Sequence, residues 1–446
     1  MTTTPSTTPS TTSTTTSTTT PTPPGATNVD IVDPDSYVHG FPHATFERLR
    51  KTDPVSWWDE PDASGFWAVT RYHDLVTVSR NPEIFSNAQG ITLEEMDPHD
   101  FAARRNMLEF DAPEHTRYRR LVSKPFSRRE VWAYENAIRV LARAVIEDSL
   151  PGASTTQLDF TEHIAKQLPM RMLGRLLGVP DEDGPWLVER GDALLGNFDP
   201  EMTQHPVGLV DTDEYRSMPF RSPAGLDLYR YAERAAEQRR THPTDDVISD
   251  LLAPTTDGER LSEQEFKNFF VLLVSAGNDT TRYTMAAGMK ALAEHPDQLR
   301  RLRSAISNDG PEAKDLVNRA VEEILRWATV TMHFRRTATR DTELNGRFIR
   351  AGQKVVIWFT SADYDDEVFT DPYRFDINRS PNEHVVFGRM SPHLCLGAHL
   401  ARLELRVLLE ELIPHVNTIA VNGHVEWLRS NFIGGIKHLP MTFTTR

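Results

Sequence analysis

Residues 387–402 read Phe-Gly-Arg-Met-Ser-Pro-His-Leu-Cys-Leu-Gly-Ala-His-Leu-Ala-Arg and contain Cys395, the one cysteine among 446 residues. The leucines that follow recur at helical spacing as far as Leu412, which predicts a helix just after the cysteine. A thiol at a helix N-terminus meets unpaired N–H groups and the positive end of the dipole, and both favour the metal-binding thiolate. Gly397 leaves room for a flat cofactor against the backbone. The alternative is a buried structural cysteine, which is common for free thiols.

The composition is that of a globular protein whose 446 residues can bury a large core, as one domain or two. A net charge of −15 argues against a nucleic-acid binder. One cysteine excludes a disulfide framework and is typical of a reducing compartment. Because no apolar run is long enough to span a bilayer and no apolar signal core begins the chain, we expect no membrane span and a cytoplasmic location.

The N-terminal segment differs from the rest of the chain. Residues 1–28 are mainly Thr, Ser and Pro, so they cannot bury enough apolar surface to offset the entropy of ordering, and we expect them to be disordered. Residues 29–446 then form one domain. Early in that domain the pattern predicts strands around Trp57 and over 66–69, followed by a helix over 72–79.

The cysteine stretch resembles the haem-thiolate signature of the cytochrome P-450 superfamily: Phe-Gly, a loop, His-x-Cys-x-Gly, and a later Ala-Arg. The residues that carry the resemblance are Phe387, Gly388, His393, Cys395, Gly397, Ala401 and Arg402. The resemblance implies that Cys395 ligates the iron of haem b and that the surrounding residues hold the cofactor. The glycines that the family usually has before the histidine are replaced here by residues 389–391, and the loop is one residue longer than the shortest family form.

A second candidate haem contact lies in the segment 111–122. His115 and Arg119 are four residues apart and share one face of a predicted helix, where a pair of donors can hold an anion. A solvated basic helix is the alternative. The segment is similar to the third long helix of the family, which implies that both side chains bind haem propionates. By the same resemblance Arg336, with Arg335 as the runner-up, and His393 are the remaining propionate contacts.

A long helix is predicted between Ser262 and Glu294. Ser262 and Glu265 have the spacing of a capping box, and about 32 residues at 1.5 Å each give a helix of about 48 Å. Residues 276–281 in its middle read Ala-Gly-Asn-Asp-Thr-Thr, and the four residues 277–280 are poor helix formers placed together. The alternative to a functional site is a weak spot that the helix tolerates.

This cluster resembles the Ala/Gly-Gly-x-Asp/Glu-Thr motif of the family. The resemblance implies that the helix opens locally to admit dioxygen, with Ala276 and Gly277 leaving space over the haem. It also implies that Thr280 hydrogen-bonds the oxygen and that Asp279 relays protons, because O–O cleavage consumes two protons.

Other segments match structural parts of the family. Glu323 and Arg326 would alone be read as a surface ion pair, but they match its Glu-x-x-Arg motif, and Arg374 in Pro-Tyr-Arg-Phe is the expected third member of a buried network. Residues 197–222 read as a loop between two helices, which in the family is the mobile lid over substrate.

Three further segments are expected to line the substrate cavity. They are residues 91–96, 329–334 and 431–433.

Basic residues cluster near the predicted thiolate despite the acidic composition. They are Arg117, Arg120, Lys124, Arg128, Arg129, Arg389, Arg402 and Arg406. We expect them to form a docking patch for an acidic electron donor, a ferredoxin, with ordinary solvated helix faces as the alternative.

Taken together, the motifs imply a mainly α fold with a small β region and a monooxygenase activity. One atom of O2 would enter a C–H bond of an apolar small molecule (a sterol, branched lipid or terpenoid). Electrons would come from NAD(P)H through a ferredoxin reductase and ferredoxin. The alternatives are a haem-thiolate enzyme that uses peroxide and a non-enzymatic haem sensor or carrier.

Overall fold

The computed structural model describes residues 30–60, 63–152, 154–255, 258–308 and 310–445. The expected tail, 1–28, lies outside the described residues. The helices are α1 (His43–Thr52), α2 (Tyr72–Arg80), α3 (Pro98–Arg104), α4 (Glu114–Val122), α5 (Arg128–Ala133), α6 (Glu135–Ser149), α7 (Gln167–Leu177), α8 (Gly184–Leu195), α9 (Pro223–Thr241), α10 (Val247–Leu252), α11 (Glu263–Glu294), α12 (Pro296–Ile306), α13 (Pro311–Ala328), α14 (Phe359–Ala362) and α15 (Ala398–Leu412).

The strands are short and form small sheets. They are β1 (Val55–Trp58), β2 (Phe66–Val69), β3 (Phe85–Ser86), β4 (Thr155–Asp159), β5 (His333–Ala338), β6 (Thr342–Leu344), β7 (Arg347–Ile349), β8 (Lys354–Trp358), β9 (Val416–Val421), β10 (Glu426–Trp427), β11 (Ile436–His438) and β12 (Pro440–Thr445). The largest sheet has the order β1-β2-β8-β5-β3, and β2 pairs with β8 in parallel. The predicted fold, a single mainly α domain with a small β region, is confirmed.

The helix α11 organises the core. It begins at the predicted capping box, where the Ser262 side chain accepts from the Glu265 N–H and the Glu265 side chain accepts from the Ser262 N–H. It packs against α7, α8, α9 and α13, so it crosses the interior as its length requires. Gly288 allows α11 to pack closely on α13, because a Cβ at that position would lie 2.6 Å from Cγ2 of Ile324.

The other predicted elements lie where the patterns placed them. Strands β1 and β2 and helix α2 fall at the predicted positions, and 197–222 connects α8 to α9 without a long helix. Among the described residues, no helix combines the length and the apolar character that crossing a membrane requires.

Candidate haem site

The loop before α15 is held by its own backbone. The N–H of Cys395 donates to the Phe387 carbonyl at 2.8 Å, and the N–H of Ser391 donates to the Gly388 carbonyl at 3.1 Å. Gly388 has φ +71° and Met390 has φ +67°, both in the left-handed region that glycine enters without cost. The segment that lacks the family's glycines therefore still makes a tight turn, at the expense of a strained methionine.

Cys395 lies three residues before the first residue of α15 and opens onto a cavity. The protein packed around its thiol raises the pKa of Cys395, whereas the N–H groups of Gly397 and Ala398 and the guanidinium of Arg119 act in the opposite direction. The N–H groups at the start of α15 therefore favour the thiolate, as expected, while desolvation of the sulfur opposes them.

The cavity is an apolar slot between α7, α11 and the start of α15. Cys395 lines it from one side, and small residues of α11 line it from the other. Seven residues singled out from the sequence line this slot: Ala276, Gly277, Thr280, Phe387, Cys395, Gly397 and Ala401. A Cβ built at Gly397 meets no atom within 4 Å, so the backbone there faces open space.

Basic side chains from three elements meet beside the cysteine loop. The rings of His115 and His393 have centroids 4.0 Å apart. Both pKa values are lowered, chiefly by burial, and Arg119 and Arg336 contribute to the lowering at His393. Burial also lowers the pKa of Arg119, and it lowers that of Arg336 to about 10. Such a group of buried donors is costly unless it binds an anion.

Successive side chains of strand β5 point to opposite faces, and this separates the two candidate arginines. Arg336 donates to the Arg335 carbonyl and lies close enough to His393 to act on its charge. Arg335 turns the other way and donates to the Glu94 carbonyl at 3.0 Å. The structure therefore places Arg336, not the runner-up, in the basic group.

The residues present fit a haem. His115 Nε2 and His393 Nδ1 are buried and have no hydrogen-bond partner among the described residues. Such nitrogens are suited to bind the carboxylates of a haem. The apolar walls and small residues suit a flat macrocycle, the basic group suits two propionates, and Cys395 offers a sulfur for iron.

The middle of α11 differs from the expectation. The helix is continuous through 276–281, so the implied local opening is not present. The Thr280 hydroxyl donates to the Ala276 carbonyl at 2.8 Å, and the Thr284 hydroxyl donates to the Thr280 carbonyl at 2.7 Å. These bonds occupy both hydroxyls within the helix itself.

The Asp279 carboxyl lies on the α8 side of α11 and does not line the slot. Its Oδ1 accepts from Asn278 Nδ2 at 3.0 Å and from an Arg282 NH2 group at 3.1 Å. Burial, together with the nearby Asp192 carboxyl, raises the pKa of Asp279 although Arg282 opposes the change. It is thus a buried acid that holds its proton more tightly than an exposed aspartate.

The network behind the cysteine loop has a different third member from the one expected. Glu323 and Arg326 are fully buried and make two 2.9 Å hydrogen bonds. Arg379 Nε donates to Glu323 Oε2 at 3.0 Å. Arg374 is exposed, and only its carbonyl takes part, as an acceptor for Arg379. The prediction of Arg374 is wrong because the chain turns after Phe375 and brings Arg379 back to Glu323.

Two of the three segments expected near substrate are in direct contact, because the Met332 N–H donates to the Phe432 carbonyl at 2.9 Å. The third begins beside β5, where the Arg335 N–H donates to the Ile91 carbonyl at 2.8 Å. Val330 shares an apolar cluster with Phe432, against which Phe220 of the loop 197–222 also packs.

The basic residues expected to form a docking patch are interleaved with acids. Ion pairs join Arg117 to Glu265, Arg120 to Glu259, Lys124 to Asp250, Arg129 to Glu130, Arg389 to Glu383, Arg402 to Glu322 and Arg406 to Glu135. The surface is therefore less positive than the cations alone suggest.

Two features of the site were not singled out from the sequence. Glu404 lines the slot, and burial raises its pKa to about 8. The sequence does contain a sign of this site, because Glu404 is a charged residue four positions from both Leu400 and Leu408 on an apolar helix face. Asp192 pairs with Arg282 at 2.9 Å, a contact between distant segments that sequence spacing does not reveal.

The comparisons agree with this geometry. The family model described as Cytochrome P450 matches residues 228–426. The Steroid C26-monooxygenase of Mycobacterium tuberculosis is 36% identical over 441 residues, which are 95% of this chain and 94% of the relative. The Methyl-branched lipid omega-hydroxylase of the same species is 36% identical over 405 residues, 90% of each chain.

A solved structure, that of Mycobacterium marinum cytochrome P450 CYP268A2 in complex with pseudoionone, has a TM-score of 0.82 and 36% identity. The match covers 96% of this chain and 100% of that one. The lone cysteine faces an apolar slot, and the relatives are similar over nearly their whole length. The chain therefore belongs to the cytochrome P450 family, whose cofactor is haem, and it is a monooxygenase.

Proposed function

We propose that this monooxygenase inserts one oxygen atom from O2 into a C–H bond of a sterol, methyl-branched lipid or terpenoid. The observation that carries the proposal is the position of Cys395, which opens onto an apolar slot whose opposite wall contains Gly277 and Thr280. The names of two relatives support the substrate classes, since one is a steroid and the other a methyl-branched lipid enzyme. The apolar cluster around Val330 and Phe432 suits such a substrate.

Each site residue has a role in this proposal. Cys395 ligates the iron, and the haem supplies the binding and cleavage of dioxygen. The propionates are bound by His115, Arg119, Arg336 and His393. The haem is packed by Ala276, Gly277, Phe387, Gly388, Gly397 and Ala401.

Thr280 and Asp279 supply protons in this proposal. Thr280 presents its hydroxyl to the slot and is free to donate there when it releases the Ala276 carbonyl. Asp279, the preceding residue, holds a proton on the α8 side and must rotate to pass it toward the slot. An enzyme that used peroxide directly would need neither residue.

The identity of the iron ligand is tested by replacing Cys395 with Ser. We expect the reduced carbon monoxide complex to lose the absorption band characteristic of a thiolate ligand. An identical spectrum in the variant would exclude Cys395 as the ligand. A panel of sterols, methyl-branched fatty acids and terpenoids, screened by the haem absorption shift, then identifies the substrate class.

Turnover with ferredoxin, its reductase and NADPH separates the enzyme from a sensor or carrier. We expect product with the reconstituted chain, and we expect Thr280→Ala to divert electrons from product to hydrogen peroxide. A variant with unchanged product per NADPH would remove the role assigned to Thr280.

We further propose that electrons come from NAD(P)H through an acidic ferredoxin that docks near α4. Reversing Arg120 and Lys124 to Glu should slow the first electron transfer and reduce its dependence on salt. The control reverses Lys51 and Arg347, two exposed, ion-paired cations elsewhere on the surface. Equal effects of the two double variants would exclude a specific docking surface near α4.

A further inference from the structure

A carboxylate, a guanidinium and a histidine ring meet behind the cysteine loop. Arg402 makes two hydrogen bonds to the Glu322 carboxylate, from Nε to Oε1 at 2.6 Å and from an NH2 group to Oε2 at 2.9 Å. His384 Nε2 lies 2.9 Å from the same Oε2, so this nitrogen is the one that carries a hydrogen. The three residues lie on α15, on α13 and in the segment just before Phe387, and their contacts join these parts of the chain.

Glu322 is an anion at neutral pH. Burial alone would raise its pKa, but the hydrogen bonds from His384 and Arg402 lower the pKa of Glu322 to about 2. The next residue, Glu323, belongs to the separate buried network and pairs with Arg326 at 2.9 Å. Glu322 is therefore the carboxylate that neutralises Arg402.

Arg402 acts on the cysteine in two ways. Its guanidinium carbon lies 4.6 Å from the centre of the Phe387 ring, and the Phe387 carbonyl accepts from the Cys395 N–H at 2.8 Å. Burial raises the pKa of the Cys395 thiol, and the positive charge of Arg402 opposes this change. Arg402 thus favours negative charge on the sulfur, and Glu322 reduces that effect because it pairs with Arg402.

Water screens this pair only in part. The side chains of Arg402 and Glu322 are 35% and 30% exposed, and the ring of His384 beside them is buried. The Phe387 ring also packs against the guanidinium. A change of charge at this pair is therefore felt at the sulfur more strongly than one on the open surface.

We propose that Glu322 is a positioning residue that sets the reduction potential of the bound haem, by holding and neutralising Arg402 behind Cys395. Reduction adds one electron to the ferric haem, and a cation near the sulfur stabilises the more negative ferrous form. Glu322 counteracts that cation and keeps the potential lower than Arg402 alone would. This inference rests on the proposed role of Cys395 as the iron ligand. A purely structural Glu322 would affect stability and leave the potential unchanged.

The test compares reduction potentials of the haem-loaded protein, measured at an electrode with mediators and without substrate or ferredoxin. In Glu322→Gln the uncompensated Arg402 should shift the midpoint potential to a more positive value. In Arg402→Gln the uncompensated Glu322 should shift it to a more negative value, and the double variant should lie between the two. Loss of packing has no charge sign and would not produce opposite shifts.

Two further variants are controls. Glu322→Asp keeps the negative charge and should return the potential most of the way to that of the parent. Glu410→Gln removes another carboxylate that pairs with an arginine of α15, Arg406 at 3.2 Å. Because Glu410 lies eight residues beyond Arg402, or about 12 Å further along α15, its variant should have the potential of the parent.

The infrared C–O stretch of the reduced carbon monoxide complex gives a second readout from the same samples. A sulfur that donates less electron density to iron weakens back-donation into CO, so Glu322→Gln should raise the C–O frequency and Arg402→Gln should lower it. Single variants that keep the potential and the C–O frequency of the parent and change only the melting temperature would overturn the proposal. Shifts of the same sign in both single variants would overturn it as well.

These outcomes separate the inference from the proposed function. If Cys395→Ser kept the thiolate absorption band, the proposed role of Cys395 would fail. If that band were lost and the potential did not respond to Glu322 or Arg402, only the inference would fail. Should Glu322→Gln not fold, Arg402→Gln still decides, because a potential at or above that of the parent would contradict the proposal.

Discussion

Two buried carboxyls, those of Glu404 and Glu323, show how the surroundings of an acid decide its charge. Glu404 is 2% exposed, and burial raises its pKa to about 8. Glu323 is fully buried too, but it receives hydrogen bonds from Arg326, Arg379 and Asn382. The first carboxyl therefore favours protonation, whereas the oxygens of the second are satisfied by three donors.

Glu404→Gln should remove a pH dependence of stability. Because the folded pKa of about 8 exceeds the unfolded value near 4.5, Glu404 lowers stability as pH rises through this window. The upper bound of the loss is roughly 4–5 kcal/mol, at about 1.36 kcal/mol per pKa unit. Thermal melts from pH 5 to 9 should show the variant matching the parent at low pH and exceeding it at high pH. Glu47→Gln, whose side chain is 40% exposed, is the control. Parallel curves for Glu404→Gln and the parent would contradict the prediction.

Arg379→Ala should destabilise the fold more than Arg374→Ala. Removing Arg379 deprives the buried Glu323 of a charged donor, which costs about 1–3 kcal/mol. Arg374 is exposed, and its loss should stay within about 0.5 kcal/mol. Urea unfolding of the two variants measures the difference, and equal midpoints would show that Arg379 does not stabilise Glu323.

The long helix α11 shows how packing overrides local preference. Its sequence holds glycines and threonines that are poor helix formers, yet it is continuous over 32 residues because its faces are covered by neighbouring helices. Gly288 matters for the contact with α13 and not for an unusual backbone conformation, since a side chain at this position would overlap Ile324.

Gly288→Ala tests this view of α11. Alanine favours a helix over glycine by about 1 kcal/mol, but the added Cβ would lie 2.6 Å from Ile324 Cγ2, so we expect net destabilisation of about 1–3 kcal/mol. Gly174→Ala in α7 is the matched control, because its Cβ would lie an ordinary 3.7 Å from Val179. The control should be neutral or stabilising in thermal melts. A stabilised Gly288→Ala would show that the helices can separate at little cost.

Contacts between distant parts of the chain hold the loop 197–222 against the C-terminal strands. Asp199 is buried, accepts from the Arg429 N–H at 2.9 Å, and lies 3.3 Å from Lys437 Nζ. Glu201 pairs with Lys437 and His438 of β11. Because Phe220 of this loop packs against Phe432, these ion pairs also hold the loop against the apolar cluster that contains Val330 and Phe432.

Lys437→Met should loosen this loop. Its loss leaves the buried Asp199 without its cation, so limited proteolysis should cut within 197–222 faster than in the parent. Lys51→Met, which removes an exposed pair with Glu47, is the control. Cleavage at the parent rate would show that the backbone contacts of Arg429 suffice to hold the loop.

Local patterns predicted the elements of this protein because each is set by nearby residues. The capping box at Ser262 placed the start of α11, and the apolar spacing after Cys395 placed α15. The motif around Cys395 was enough for the family and for the class of chemistry, because a thiolate that binds haem needs a particular short stretch of chain.

Contacts between distant segments could not be read in this way. The orientation of a turn decides that Arg379 and not Arg374 contacts Glu323. The orientation of a strand decides that Arg336 and not Arg335 lies near His393. The pairing of Asp192 with Arg282 likewise exists only when α8 packs on α11. Spacing along a chain sets helices and motifs, whereas the burial that shifts a pKa and the choice of an ion-pair partner arise only from packing in three dimensions.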